Sequence, residues 1–361
     1  MRKLASALVL LMLVAWSPAV LAQAGTGATS TSGAPGQPPQ PAEPAAPLPP
    51  APPLPPTPAF LPSIEDPKDN PTTPEKVQLG QMLFFEKLLS KDGTQSCESC
   101  HHPDLAWTEG RAVSPKVGGA PNKRNAPTML NVGYHTSFYW DGRVATLEGT
   151  CKAAWGGQLG ADPPSVATGL NTNGTYRALF MRAFNSPATA DNIPLALASF
   201  LRALKSGDAP YDKFEKGDKK AVSAEAKHGF EVFRKANCAL CHVPPLYTDF
   251  QFHNVGVGWD LGDKRDHGRM DATKDPKDDG KFKTPTLRDI AKTAPYFHDG
   301  SAKTLDEAID FMLGGGKKNP NLDEKLKPAK LSKKDKAALK AFLQSLSGKM
   351  TYSGPAQLTV K

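Results

Sequence analysis

Away from its amino terminus the sequence has no apolar run long enough to cross a bilayer, so no multi-span membrane protein is indicated. Strict alternation of apolar and polar residues is scarce throughout, which argues against an all-β domain. The formal charge is +8, yet no basic patch is interleaved with aromatics. The Lys-rich run from Lys325 to Lys340 reads as the solvated side of a helix, so nucleic acid is not an expected partner, whereas acidic proteins are favoured. Cysteine is sparse, with five in 361 residues. Four of them form two close pairs, 141 positions apart, and no third pair is present. The fifth, Cys151, stands alone and reads either as a small buried apolar residue or as a reactive thiol.

The pairs are Cys97-Glu-Ser-Cys100-His101 and Cys238-Ala-Leu-Cys241-His242. One C-x-x-C alone fits a zinc knuckle or a redox dithiol equally well. A histidine directly after the second cysteine, twice, is more specific. Two thiols three positions apart can each add across a vinyl group of one haem, and the following histidine then binds the iron from one side. Two covalently attached haems c are therefore expected, one on Cys97, Cys100 and His101, the other on Cys238, Cys241 and His242. The motifs lie 141 positions apart, so one haem per domain is the economical arrangement.

In chain order, residues 1–24 read as a signal peptide. Arg2 and Lys3 precede an apolar run from Leu4 through Trp16, and small residues offer cleavage after Ala22 or Ala24. The alternative is a retained anchor, against which the shortness of the apolar stretch argues. Cleavage places the protein in the periplasm. Residues 25–62 hold 14 of the 35 prolines and read as a Pro-rich disordered linker. Two haem domains are expected at 63–208 and 209–350, with a tail at 351–361. Thr73-Pro74-Glu75 supplies a cap, a first-turn proline and a first-turn acid for a helix carrying Val77, Leu79, Leu83 and Phe84. A matching helix starts near Ser223, so Gly80-x-x-Leu83-Phe84 repeats as Gly229-x-x-Val232-Phe233 ahead of each haem motif. Leu197, Phe200, Leu201 and Leu204, and later Leu339, Phe342, Leu343 and Leu346 after a Ser332-x-x-Asp335 capping box, recur at helical spacing. The expected fold class is all-α, with long loops wrapping the haems.

Several ordered motifs between about Leu79 and Leu346 carry a family resemblance. They are Leu79-Gly-Gln-Met-Leu-Phe-Phe-Glu-Lys-Leu-Leu-Ser90, Arg124-Asn-Ala-Pro-Thr128, Tyr139-Trp-Asp-Gly-Arg143, Lys283-Thr-Pro-Thr-Leu-Arg288 and Ala294-Pro-Tyr-Phe-His-Asp-Gly300. The chain resembles the bacterial di-haem cytochrome c peroxidases and their relatives of methylamine dehydrogenase maturation. The resemblance implies two cytochrome c-like haem domains. It implies that Met312 is the second iron ligand of the His242 haem, where maturation enzymes carry Tyr; on helix pattern alone Met312 reads equally as a core residue. A distal histidine would fall within Lys116-Val-Gly-Gly119, and none is there, so the His101 haem is expected to be five-coordinate or water-bound and open to peroxide without prior reduction. The family's distal glutamate aligns with Gln158 across a short deletion, and an amide cannot shuttle a proton. Glu148 and Asp162 are the alternative acids for that role. Trp140 matches the tryptophan between the haems, and Asn125, Thr293 and Pro295 match the positions that bind Ca2+ at the domain junction. The remaining histidines, His102, His135, His228, His253, His267 and His298, are assigned to no iron.

These features predict a di-haem c-type oxidoreductase that reduces hydrogen peroxide with electrons from a small redox protein, a cytochrome c or a cupredoxin; a homodimer is a further expectation. Two rivals are an oxidase that modifies a partner protein, disfavoured by Met at 312, and a plain electron carrier in which Gln158 marks a lost peroxide site.

Overall fold

The computed structural model describes residues 48–356. The expected signal peptide and the first part of the proline-rich linker lie outside the described residues. Regular structure is almost entirely helical: α1 (Pro74–Phe84), α2 (Leu147–Leu159), α3 (Pro163–Thr172), α4 (Gly174–Phe184), α5 (Asn192–Ala203), α6 (Pro210–Glu215), α7 (Ala224–Lys235), α8 (Met270–Thr273), α9 (Leu305–Leu313) and α10 (Lys333–Gln344). The strands are two residues each. β1 (Ser206–Gly207) pairs antiparallel with β4 (Lys349–Met350), and β2 (Phe252–His253) with β3 (Phe282–Lys283).

Local chemistry sets the helix starts. Thr73 Oγ1 accepts from Lys76 N at 3.3 Å with Pro74 in the first turn, and Ser223 Oγ accepts from Ala226 N at 3.0 Å. Ser332 Oγ accepts from Asp335 N at 3.1 Å, but Asp335 takes its bond from that same hydroxyl rather than from the Ser332 backbone, so half of the predicted capping box is made. From Leu48 the rest of the proline-rich stretch has no helix or strand, yet it lies on the folded body. Tyr134 Oη donates to Pro62 O at 2.8 Å, Lys205 Nζ donates to Thr57 Oγ1 at 2.7 Å, and Leu61 is buried.

Apolar burial is divided into two clusters, one formed from Val77 to Leu204 and one from Tyr211 to Leu346. Each is built on one helix crossing. α1 meets α5 at Gly80, where a Cβ would overlap the carbonyl oxygen of Ala196; α7 meets α10 at Gly229, where a Cβ would overlap that of Ala338. The repeated glycine is therefore a packing requirement, since only a residue without a side chain lets the two backbones approach so closely. The aromatics repeat as well. Phe84, Trp107 and Phe200 meet edge to face at 5.4–5.8 Å between centroids in the first cluster; in the second, Phe233, Tyr247 and Phe342 meet at 5.1–6.5 Å, with Phe233 and Phe342 tilted and the other two pairs edge to face. Gly229→Ala is expected to destabilise the protein by about 1–3 kcal/mol, the usual effect of overpacking against an unyielding backbone. A lowered denaturant midpoint at unchanged slope is the expected record; a midpoint equal to that of the native protein would show that the crossing can spread without loss.

The two halves are tied by buried polar contacts. Arg124 binds Asp266 through Nε and Nη2 at 2.7 and 2.8 Å, and Asp141 through Nη1 at 2.6 Å. Burial opposes ionisation of Asp266, but the hydrogen bonds from Arg124 outweigh it and hold the carboxyl well below its ordinary range. Asn131 Nδ2 donates to Ser206 O, and Ser206 Oγ donates to Asp289. Within the second half Arg288 binds Asp212 at 2.8 and 3.0 Å, both side chains buried.

Candidate haem cavity

Each C-x-x-C-H segment is a 3₁₀ turn, Cys97–Cys100 and Cys238–Leu240. His101 Nδ1 lies 3.1 Å from the carbonyl oxygen of Trp107, and His242 Nδ1 lies 2.9 Å from that of Tyr247. Trp107 and Tyr247 both adopt left-handed backbone, with φ of 62° and 53°. An Nδ1–H given to a carbonyl fixes the tautomer and leaves Nε2 with its lone pair for a metal. Burial takes His101 down to about 4 and His242 below its ordinary value, so both rings are neutral, the form that ligates.

All six motif residues line one cavity of about 720 Å³. Its chemistry fits two haems c. Paired thiols and a neutral imidazole stand at each of two places, Phe84, Leu201, Phe233 and Leu343 supply apolar walls for a macrocycle, and Arg124, Arg143, Lys283, Lys325 and Lys327 supply cations for propionates. Cys241 Sγ also comes within 4.8 Å of donor atoms of Asp249 and His253. That grouping is a poor metal site, because thioether attachment consumes the sulfur and the His253 nitrogens already meet Asp249 at 2.9 Å and Asp323 at 2.5 Å.

Six further residues assigned to the site from the sequence line the same cavity: Trp140, Gln158, Met312, Asn125, Thr293 and Pro295. Trp140 bridges the halves, its Nε1 donating to Asn125 O at 2.9 Å while its own carbonyl accepts from Lys283 N at 2.8 Å. Asn125 gives its amide hydrogens to Arg111 O and Ala112 O at 2.8 and 3.2 Å. Its Oδ1 accepts nothing among the described residues. Gln158 stands in the last turn of α2, and its Oε1 is buried with no hydrogen-bond partner among the described residues. The 116–119 loop rests on that helix end, with Val117 N donating to Gln158 O at 3.2 Å. The two acids considered as substitutes are occupied elsewhere. Glu148 accepts from Asn70 Nδ2 at 2.8 Å and pairs with Arg202, and Asp162 caps α3 through Ser165 N at 3.2 Å. Neither lines the cavity. Cys151 is buried in the first apolar cluster.

One relation escaped the motif reading. Thr146 caps α2 and Thr304 caps α9, each accepting from the amide three residues on. Met312 stands eight residues after its cap, and Ala154 stands eight residues after the other. Both line the cavity, so the same helical position offers a thioether on one side and a methyl on the other. The sequence held the signal as Asp141-Gly-x-x-x-Thr-Leu147 against Asp299-Gly-x-x-x-Thr-Leu305. The buried Lys283, which donates to the Ser137 carbonyl at 2.5 Å and lies 3.2 Å from His135 Nδ1, and the His253 pair with Asp249 and Asp323 were also missed; single histidines and lysines carry no spacing signal.

Comparison with known proteins points the same way. Residues 74–220 match the model of a family described as di-haem cytochrome c peroxidase. Methylamine utilization protein MauG of Methylorubrum extorquens is 38% identical over 305 residues, covering 82% of this chain and 84% of that protein. A cytochrome-c peroxidase of Denitromonas iodatirespirans is 36% identical over 320 residues, covering 80% and 85%. Among solved structures, a MauG-like protein associated with microbial copper homeostasis superposes with a TM-score of 0.77 at 33% identity, over 81% of this chain and 95% of that one. With two C-x-x-C-H turns on a shared cavity and relatives of this identity along most of its length, the chain belongs to the di-haem cytochrome c peroxidase family.

Proposed function

We propose that the protein is a periplasmic di-haem peroxidase in which electrons from a small redox protein arrive on the His242 side, pass Trp140, and reach hydrogen peroxide on the His101 side. Bound haem supplies the redox chemistry. The chain's own residues attach and orient the two groups through Cys97, Cys100 and His101 and through Cys238, Cys241 and His242, and decide what stands over each iron. The observation that carries the proposal is the equivalence of Met312 and Ala154. A side chain able to ligate faces one haem place, and the corresponding side chain at the other is too short to close it. Gln158, with its unpartnered amide oxygen, is a polar group available to meet peroxide there.

The two apolar clusters support two haem domains at 63–208 and 209–350. The neutral oxygens offered by Asn125, Thr293 and Pro295 suit a hard cation, and Ca2+ is the ion proposed for them. Leu240 and Val243 are exposed within and just after the second haem motif, and Arg234 and Lys235 are exposed shortly before it in the chain, features suited to an acidic electron donor. A second reading, oxidation of a partner protein, draws on the methylamine utilization relatives and on the lack of a distal acid. Met312 rather than Tyr is the feature against it.

Steady-state peroxide reduction with a reduced small cytochrome tests the proposal. Turnover that depends on both reactants supports it, and none would leave a partner-protein oxidase or a plain electron carrier. Pyridine haemochrome analysis is expected to give two haems c per chain. One haem, or stoichiometric zinc, would overturn the reading of the paired motifs.

A further inference from the structure

We propose that Trp107, Phe200 and Tyr352 form a hole-transfer path from the His101 side of the cavity to the protein surface, by which oxidising power from peroxide leaves the site as a radical on Tyr352 when no reduced donor is at hand. The inference rests on the peroxide reading above.

The path begins at the iron ligand. The Trp107 carbonyl accepts the hydrogen bond of His101 Nδ1, and Phe84, which lines the cavity and lies 6.5 Å from the His101 ring, meets the Trp107 ring at 5.4 Å. From Trp107 the next ring is Phe200 at 5.8 Å, and the next is Tyr352 at 5.4 Å from Phe200, both edge to face. Trp107 is fully buried, whereas Tyr352 is half-buried and reaches solvent.

The two ends differ in what they can do with a proton. Trp107 Nε1 is buried and has no hydrogen-bond partner among the described residues, so an indole that loses an electron there has no group beside it to take its proton. It remains a radical cation, a strong oxidant, and is refilled from a group that is easier to oxidise. Tyr352 is such a group, because its phenol can release its proton to water as the electron leaves. Burial pushes that phenol up to about 12, so it keeps its proton until then.

The path is peculiar to the first half. In the second half the corresponding rings, Phe233, Tyr247 and Phe342, lead to Tyr211, which is buried. Tyr352 is brought to the first cluster by the C-terminal segment, which is held in place deliberately well. Thr351 N donates to Lys205 O at 2.9 Å, Thr351 Oγ1 donates to Ala203 O at 2.8 Å, and Gln81 Nε2 donates to Gly354 O at 2.6 Å.

Hydrogen peroxide needs two electrons and two protons to become two waters. Each passage along the path takes one electron from a Tyr352 phenol and releases its proton to solvent, leaving a neutral tyrosyl radical. Summed over the reaction, one hydrogen peroxide and two phenols give two waters and, when radicals on two molecules couple, one dityrosine.

The test mixes the oxidised holoprotein with peroxide in the absence of donor and follows haem absorbance, the radical signal in freeze-quenched EPR, and dityrosine by fluorescence and peptide mapping. A haem absorbance change is expected in the native protein, in Trp107→Phe and in Tyr352→Phe. A tyrosyl radical and dityrosine at Tyr352 are expected in the native protein alone. Tyr352→Phe, at a half-exposed position, is expected to retain a tryptophan-type signal, and Trp107→Phe to lose both. A haem response in the native protein without a radical at Tyr352 would overturn the path and leave the peroxide reading standing. The same holds if Trp107→Phe keeps the Tyr352 radical. No haem response to peroxide at all would overturn the peroxide reading and the path with it.

Discussion

Gln158→Glu is expected to raise the rate of O–O bond cleavage by at least about tenfold, a cautious fraction of the roughly 10²–10⁴-fold that a well-placed acid-base group contributes. Peroxide cleavage requires a proton to leave the near oxygen and reach the far one. An amide can hydrogen-bond both oxygens but cannot take up and return that proton. α2 turns Thr150, Cys151, Ala154, Trp155 and Gln158 toward the cavity, and none of these is an acid. Glu148 is held by Arg202 and Asn70, and Asp162 is held at the start of α3, so neither reaches the site without breaking a structural contact. Gln158 is fixed through its carbonyl, which accepts from Val117 N, and its Oε1 is already desolvated. A glutamate of the same shape inherits that position. Stopped-flow mixing with peroxide, following the haem absorbance change in both proteins, measures the effect. Fast cleavage in the native protein with no gain on substitution would assign proton transfer to a group other than Gln158.

The helices at α1, α5, α7 and α10 and both haem motifs were legible in the sequence because each rests on local rules. Caps at Thr73 and Ser223, helical spacing through Leu339 to Leu346, and thiols three apart are all short-range patterns, and each corresponds to an observed element. The Gly80 and Gly229 repeat was visible as a pattern, but its cause was not, because the carbonyls of Ala196 and Ala338 that require it lie on helices more than a hundred residues away. Long-range placement was the general failure. Nothing near Glu148 in sequence shows that Arg202 occupies it, and nothing near Trp107 shows that residue 352 returns to the same core. The equivalence of Ala154 and Met312 was hidden for another reason. Its Asp-Gly-x-x-x-Thr-Leu signal recurs at a different spacing from the haem motifs, since the loops between the repeated parts differ in length.

Met312→Ala is expected to lower the reduction potential of the second haem by on the order of 0.1 V, a modest part of the roughly 0.8 V range that axial ligands command. A thioether favours ferrous over ferric iron, so removing it lowers the potential and slows reduction by the donor. Met312 stands on the cavity face of α9, and the residues that pack this helix into the second apolar cluster are Leu305, Ile309 and Leu313. The substitution should therefore leave folding and the first haem's spectrum nearly unchanged. The reciprocal change, Ala154→Met, places a thioether at the corresponding position of α2. It is expected to turn the first haem from high-spin to low-spin and to abolish its reaction with peroxide, while the second haem keeps its potential. Potentiometric titration with absorption spectra of both variants checks the pair together. If Met312→Ala moves neither spectrum nor potential, Met312 is a packing residue. If Ala154→Met leaves the first haem high-spin and reactive, the two helices do not hold their irons in the same way, and the openness of the peroxide site has some cause other than the short side chain of Ala154.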